Sequence, residues 1–417
     1  MPDSLKSKTL QNVGFNSIAR ILQFVISGIA SIILTRTLLP GDYGIVGFAG
    51  IVISFISQFG DIGISSAAVQ KQNLDQTGVY TAFTLKLVLS LFVFLAAFVT
   101  APLVQLFFDN EAIVGVVRVL ALSFLLNCGS FLPNLLLSRD LDYKKISYAN
   151  ALSAMVNSTA AVVLALLGFK YWSIVVAGLL MSISLAVLLN FFRPIRYRLR
   201  YDHQTAKGFL RFGGNLFISG LTIFLIFNAD NFIIGSLKGA DALGYYSVAF
   251  TWATMSCLLI SSVILTVLFP TFSRIQDDRA KIKRSYLELV RYVSFGGVLI
   301  NSTLFVVAGD FLVLVLGRDS DKWLPALPSL RILCFYGIAR LLLEPAGPVA
   351  MALGRTDVTR KATFLVAAIE LGLLYPVLQL FGIEGVAVLV TAAYLSQYAV
   401  YYPLLKKELK IGLGRRT

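Results

Sequence analysis

Twelve apolar stretches, each long enough to cross a bilayer as a helix, follow one another along this 417-residue chain, and that rhythm excludes most folds. A hydrocarbon core takes about 20 apolar helical residues to span, and more when the helix tilts. The stretches lie near 13–35, 44–68, 79–102, 114–138, 147–168, 172–192, 209–235, 244–272, 286–308, 325–353, 359–381 and 384–405. The basic residues keep time with them. Of the 36 Lys and Arg, 25 fall in one alternate set of gaps or at the stretch edges that border them; the other set holds Arg36, Lys170, Lys238, Arg318 and Lys322. By the positive-inside rule, the basic gaps and both termini are expected in the cytoplasm. The sequence predicts an all-α polytopic membrane protein.

Composition narrows the function classes. Apolar residues make up 57% of the chain and charged ones 14%, far from a soluble domain. The net charge of +14 is spread over the basic gaps, where it sets topology and meets anionic lipid headgroups, so no nucleic-acid partner is expected. Cys128, Cys257 and Cys334 fall inside spans with no CxxC pair, and the lone histidine, His203, sits in a basic loop. Neither a disulfide framework nor a metal site is expected. No gap exceeds about 16 residues, which leaves no room for a soluble catalytic domain. An enzyme and a cofactor are not expected.

The basic connector Arg193–His203 divides the chain into six spans and six spans, lobes expected over 1–200 and 201–417. The halves resemble one another. Pro40-Gly-Asp-Tyr-Gly44 matches Ala240-Asp-Ala-Leu-Gly244, Val117-Arg118 matches Leu330-Arg331, and Ser138-Arg139 matches Gly354-Arg355. An even number of spans per half makes these parallel repeats, the plan of an alternating-access transporter.

Ionisable groups inside spans are costly and usually face a cavity or a partner. Asn16, Arg20 and Gln23 share one helical face, either as a cavity-lining stripe or as hydrogen-bonded glue. Lys86 lies a third of the way along its span, where facing a cavity and reaching the headgroups are equally open. Arg118 and Arg331, close to span entrances, are expected to snorkel. Arg340 and Glu344, spaced i and i+4, are expected to pair. Pro345 and Pro348 must interrupt the helix that follows, and Cys128-Gly129 with Pro133 predicts a matching interruption in the first half. Cations outnumber acids in the spans, which suits an anionic cargo such as a pyrophosphate. Asp61 and Asp230 are candidates for a coupling cation or proton.

Several motifs in order resemble the bacterial polysaccharide transporter family, oligosaccharide-lipid flippases of the multidrug/oligosaccharidyl-lipid/polysaccharide exporter superfamily. They include Leu38-Leu-Pro-Gly-Asp42-Tyr43-Gly44, Asp61-Ile-Gly63, Ser138-Arg139-Asp-Leu-Asp142, Asn228-Ala-Asp230-Asn231, Phe269-Pro270-Thr-Phe-Ser-Arg274 and Lys322-Trp323-Leu-Pro-Ala326. The resemblance implies a multidrug-exporter-like fold. It also implies a plasma-membrane flippase for undecaprenyl-diphosphate-linked repeat units, serving capsule, exopolysaccharide or O-antigen assembly beside polymerase machinery. Many members of that family have fourteen spans where this chain shows twelve. Arg20 and then Lys86, with Asn16 and Gln23, are the expected substrate contacts. A multidrug exporter and a membrane polymerase are the rival readings.

Overall fold

The computed structural model describes residues 23–409 except 73, 275–277 and 318–319, with side chains also left out at 215, 216, 219, 256 and 258–274. Among the described residues every regular element is helical. They run α1 (Gln23–Thr37), α2 (Pro40–Phe59), α3 (Ile64–Gln70), α4 (Gln76–Val104), α5 (Ala112–Arg139), α6 (Tyr143–Leu166) and α7 (Trp172–Phe192). Then follow α8 (His203–Arg274), α9 (Arg279–Asp310), α10 (Leu327–Leu343), α11 (Ala346–Ala352) and α12 (Thr356–Leu409). Nine segments among the described residues are long and apolar enough to cross a membrane. Helix α8 holds two expected spans, divided at Gly239 (φ 81°), and α12 holds two more, divided at Gly382 (φ 64°). With α1, these helices account for the twelve stretches read from the sequence. The chain is a multi-pass membrane protein.

Aspartates set where helices begin after the basic connectors. Asp75 accepts from the Gly78 amide at 2.8 Å, Asp142 from Lys145 at 3.4 Å, Asp202 from Thr205 at 2.8 Å and Asp278 from Lys281 at 3.0 Å. Each cap satisfies an amide that the first turn leaves without an intrahelical partner. Hydrogen bonds from Thr205 hold the Asp202 carboxyl below its usual range, and those from Lys281 do the same for Asp278.

Two compact units compose the chain, Met1–Gly244 and Tyr245–Thr417. In the first, α5 is central, packed on α2, α4, α6 and α7. Ile64, Ala68, Ala82, Leu132 and Phe209 form one buried cluster there. In the second, α10 lies against both α9 and α12. The repeat survives in contact chemistry. The Arg118 guanidinium sits 4.9 Å over the Phe98 ring in the first unit, and Arg331 sits 5.7 Å over Phe305 in the second. Both expected snorkelling arginines thus also lie on an aromatic ring of a neighbouring helix.

Two expectations are corrected. The stretch 44–68 is not one helix: α2 ends at Phe59 and α3 begins at Ile64, with Ile62 (φ 41°) and Gly63 (φ 70°) in left-handed conformation between them. The matching interruption expected near Pro133 is absent, since α5 runs unbroken through it. Proline supplies no amide to the carbonyl four residues earlier, here Gly129. That oxygen instead accepts from Asn190 Nδ2 at 2.8 Å and from the Tyr197 hydroxyl at 2.8 Å, so the helix loses no partner and has no reason to break.

Candidate functional site

The α2–α3 break is where sequence-predicted polar residues gather. Gly60 ends α2, and its carbonyl accepts from Lys86 Nζ at 2.8 Å across to α4. Asp61, the next residue, accepts from the Ser65 amide at 3.0 Å and the Ser65 hydroxyl at 2.6 Å, holding the first turn of α3. Lys86 and Asp61 therefore flank one break, and both are half-buried. At the far end of α3, Arg139 donates to four carbonyls, Ala68 at 2.7 Å, Val69 at 3.3 Å, Lys71 at 2.7 Å and Gln72 at 3.1 Å. A cation over the last carbonyls of a helix also opposes the negative end of its dipole. Both ends of this seven-residue helix are thus fixed by side chains.

Asp230 lies apart from that cluster, buried in α8, where its Oδ1 accepts from the Asn231 amide at 2.7 Å and Asn231 Nδ2 at 2.9 Å. Asn228, two residues earlier, lines a cavity of about 390 Å³ walled by Phe48, Phe55, Phe107, Phe224 and Phe232. Gln23 opens α1, half-buried. Asn16 and Arg20 lie outside the described residues.

In the second unit Arg340 Nε meets Glu344 at 3.8 Å, the pair that the i, i+4 spacing anticipated, with both side chains less than a fifth exposed. Nearer the basic connectors, Glu408 at the end of α12 joins Arg279 at 3.5 Å and Arg355 at 3.7 Å, and Arg355 also holds Asp357 at 3.1 Å. Among the described residues no group of three His, Cys, Asp or Glu is placed to hold a metal.

The four-carbonyl grip of Arg139 and the ion cluster around Arg355 escaped the reading of roles. Their signal was the repeat itself, which pairs Ser138-Arg139 with Gly354-Arg355. What the repeat could not reveal was that one arginine would take backbone carbonyls and the other carboxylates.

One contact between helices is reciprocal. A Cβ on Gly44 would overlap the carbonyl of Ala240, and a Cβ on Gly244 would overlap the carbonyl of Pro40. Gly44 and Gly244 match in the sequence repeat, as do Pro40 and Ala240, so α2 and α8 each press a glycine against the backbone of the other at the matching position, within the first unit. Only a residue without a side chain permits that approach.

Comparisons with known proteins agree with this architecture. The profile of a family described as "Polysaccharide biosynthesis protein" matches residues 33–328. The lipopolysaccharide biosynthesis protein WzxC of Escherichia coli (strain K12) is 25% identical over 380 residues, 88% of this chain and 76% of that protein. The succinoglycan biosynthesis transport protein ExoT of Rhizobium meliloti (strain 1021) is 30% identical over 285 residues, 67% of this chain and 57% of that one. Among solved structures, the lipid II flippase MurJ in an inward closed conformation aligns with a TM-score of 0.72 at 14% identity, covering 94% of this chain and 87% of that one. A multidrug resistance MATE family transporter of the MOP superfamily, inward-facing, aligns with a TM-score of 0.71 at 15% identity, covering 94% and 98%. At those identities the likeness establishes the fold.

Proposed function

The chain belongs to the polysaccharide biosynthesis protein family, and from that premise we propose that it is an alternating-access flippase for lipid-linked oligosaccharides. The observation that carries the reading is a family match over residues 33–328 on a twelve-span transporter fold whose nearby relatives include transport proteins of polysaccharide biosynthesis. The cargo is an undecaprenyl-diphosphate-linked repeat unit, whose headgroup crosses between the halves 1–200 and 201–417 while its tail stays in the bilayer. The protein catalyses no covalent step. It sits in the plasma membrane with both termini cytoplasmic, where polymerase machinery receives the product.

Arg20 and Lys86, with Asn16 and Gln23, contact the headgroup in this reading. Asp61 and Asp230 are its coupling sites. The hydrogen bond from Lys86 to the Gly60 carbonyl bears on this role, since a lysine at a helix break can exchange a backbone oxygen for a phosphate oxygen during transport.

Deletion of the gene tests the proposal. Lipid-linked repeat units should accumulate on the cytoplasmic face, measured by accessibility to a membrane-impermeant glycosidase. Units that reach the outer face unpolymerised would favour a polymerase, and export of cationic dyes with normal glycolipid traffic would favour a multidrug exporter. Within the same assay, Arg20→Ala should abolish translocation at normal membrane abundance, with Arg20→Lys restoring only part, because a point charge lacks the planar fork.

A further inference from the structure

Helices α4 and α9 hold matching places in the order of the sequence repeat, and their Asp75 and Asp278 caps allow residue-by-residue comparison. Asp75 caps α4 and Asp278 caps α9, each accepting from the amide three residues on. Counting from those caps, Thr81, Leu85, Val88 and Phe92 correspond to Arg284, Glu288, Arg291 and Phe295. The four positions on α4 carry no charge: Thr81 is buried, Leu85 packs against a buried cluster, and Val88 and Phe92 are exposed. The corresponding side of α9 instead exposes Arg284, Glu288 and Arg291, then continues as Phe295, Leu299 and Val306. These positions recur every three, four or seven residues and so lie along one side of the helix.

Topology accounts for basic residues in loops, but not for this arrangement. Arg291 lies five residues inside the apolar stretch, and the half without the cations shows that the fold does not require them there. Among the described residues neither Arg284 nor Arg291 forms an ion pair, and Glu288 between them meets neither within 4.0 Å. The two arginines lie on an open patch of about 500 Å³ along one side of α9, with Lys283, Leu287, Glu288 and Tyr292. Seven residues of helix separate them by about 10 Å, so two long side chains can converge on one ligand. Beyond them the apolar strip extends toward the opposite end of the helix.

We propose that this face of α9 is a docking site for the diphosphate lipid before it enters the transport path, with Arg284 and Arg291 on the two phosphates and the polyprenyl chain along Phe295, Leu299 and Val306. The inference rests on the flippase reading. Two guanidinium forks match the charge of a diphosphate, whereas a phospholipid phosphodiester offers a single negative charge. The lone carboxylate, Glu288, opposes any such ligand and sets its affinity low enough for release.

Native mass spectrometry of the full chain in phosphatidylcholine nanodiscs doped with polyprenyl diphosphate tests the assignment. The Arg284→Gln, Arg291→Gln double variant should bind the lipid at least tenfold more weakly. Glu288→Gln should bind it two- to threefold more tightly, a gain that misfolding cannot produce. Phosphatidylglycerol in tenfold excess should not displace it. If it does, the face is a general anionic-lipid surface and the proposal fails. If the wild type binds and neither variant changes its affinity, the site is wrong while the flippase reading stands. If the wild type binds no diphosphate lipid at all, both fall together.

Discussion

Helices α5 and α10 both meet proline near the same end of a membrane span, yet α5 passes through Pro133 without a break while α10 stops at Leu343, ahead of Pro345. In α5 the carbonyl that the proline frees finds two side-chain donors. Beside Pro133, Asn190 and Tyr197 reach Gly129 from α7 and the connector after it, and Tyr197 also meets Asn190 Oδ1 at 2.7 Å. Burial pushes the Tyr197 phenol above its ordinary range. Beside Pro345 a second proline, Pro348, follows within one turn, and the chain restarts as the short α11. The last full turn of α10 carries the Arg340–Glu344 pair. At Pro133, then, the helix continues past a proline because side chains across from it satisfy the carbonyl four residues before.

The largest expected effect comes from the pair that ends α10. Arg340→Ala removes from Glu344 the guanidinium that meets it at 3.8 Å in a mostly buried place, where loss of one member of a buried pair costs about 3–5 kcal/mol. Thermal unfolding in detergent should show it, and replacing both residues by Leu and Met should recover most of the loss. Equal damage from the single and double changes would mean that the pair does not hold the helix end.

A smaller effect is expected at the bridge. Asn190→Ala with Tyr197→Phe orphans the Gly129 carbonyl, at about 1–3 kcal/mol. Adding Pro133→Ala restores the amide that an ordinary helix would supply, so the triple variant should regain much of that stability. If it does not, the two side chains act by packing and the continuity of α5 through Pro133 loses its cause.

The smallest effect is electrostatic and common to both halves. Asp202 and Asp278 have lowered pKa values in the folded chain, so their caps stabilise fully above the ordinary carboxylate value of about 3.9. That contribution is lost as pH falls through the lowered values. Asp202→Asn and Asp278→Asn should each flatten the acid limb of the stability profile slightly, leaving neutral-pH transport unchanged. Profiles that stay superimposable would show that these caps do not titrate with folding.

Much of this architecture is legible in the residues because membrane crossing imposes a simple code. Apolar length marks the spans, alternate charge marks the connectors, and i, i+4 spacing marks Arg340 with Glu344. The α2–α3 break is different. It depends on left-handed backbone at Ile62 and on a lysine that arrives from 26 residues away, neither of which leaves a local pattern. Arg139 grips carbonyls some 70 residues back in the chain, a closeness that only tertiary packing creates. Pro133 misled for the same reason. Its rescuers come from another helix, so the local sequence shows the defect but not its remedy.

The mutual glycine contact at Gly44 and Gly244 has the form of an isologous interface, the self-complementary patch of a two-fold homodimer. In a homodimer one substitution alters both sides at once and symmetry is kept automatically. Here the two copies are written in one chain and can diverge independently. At this point they have not, because a methyl group added to either glycine meets a carbonyl of the other helix. Elsewhere, as in the turns after the Asp75 and Asp278 caps, the copies have separated: α4 carries no charge at the positions where α9 exposes Arg284, Glu288 and Arg291. The chain can thus be read as two copies of one pattern written in tandem, held alike where a glycine must meet a carbonyl and free to specialise where no such contact binds them.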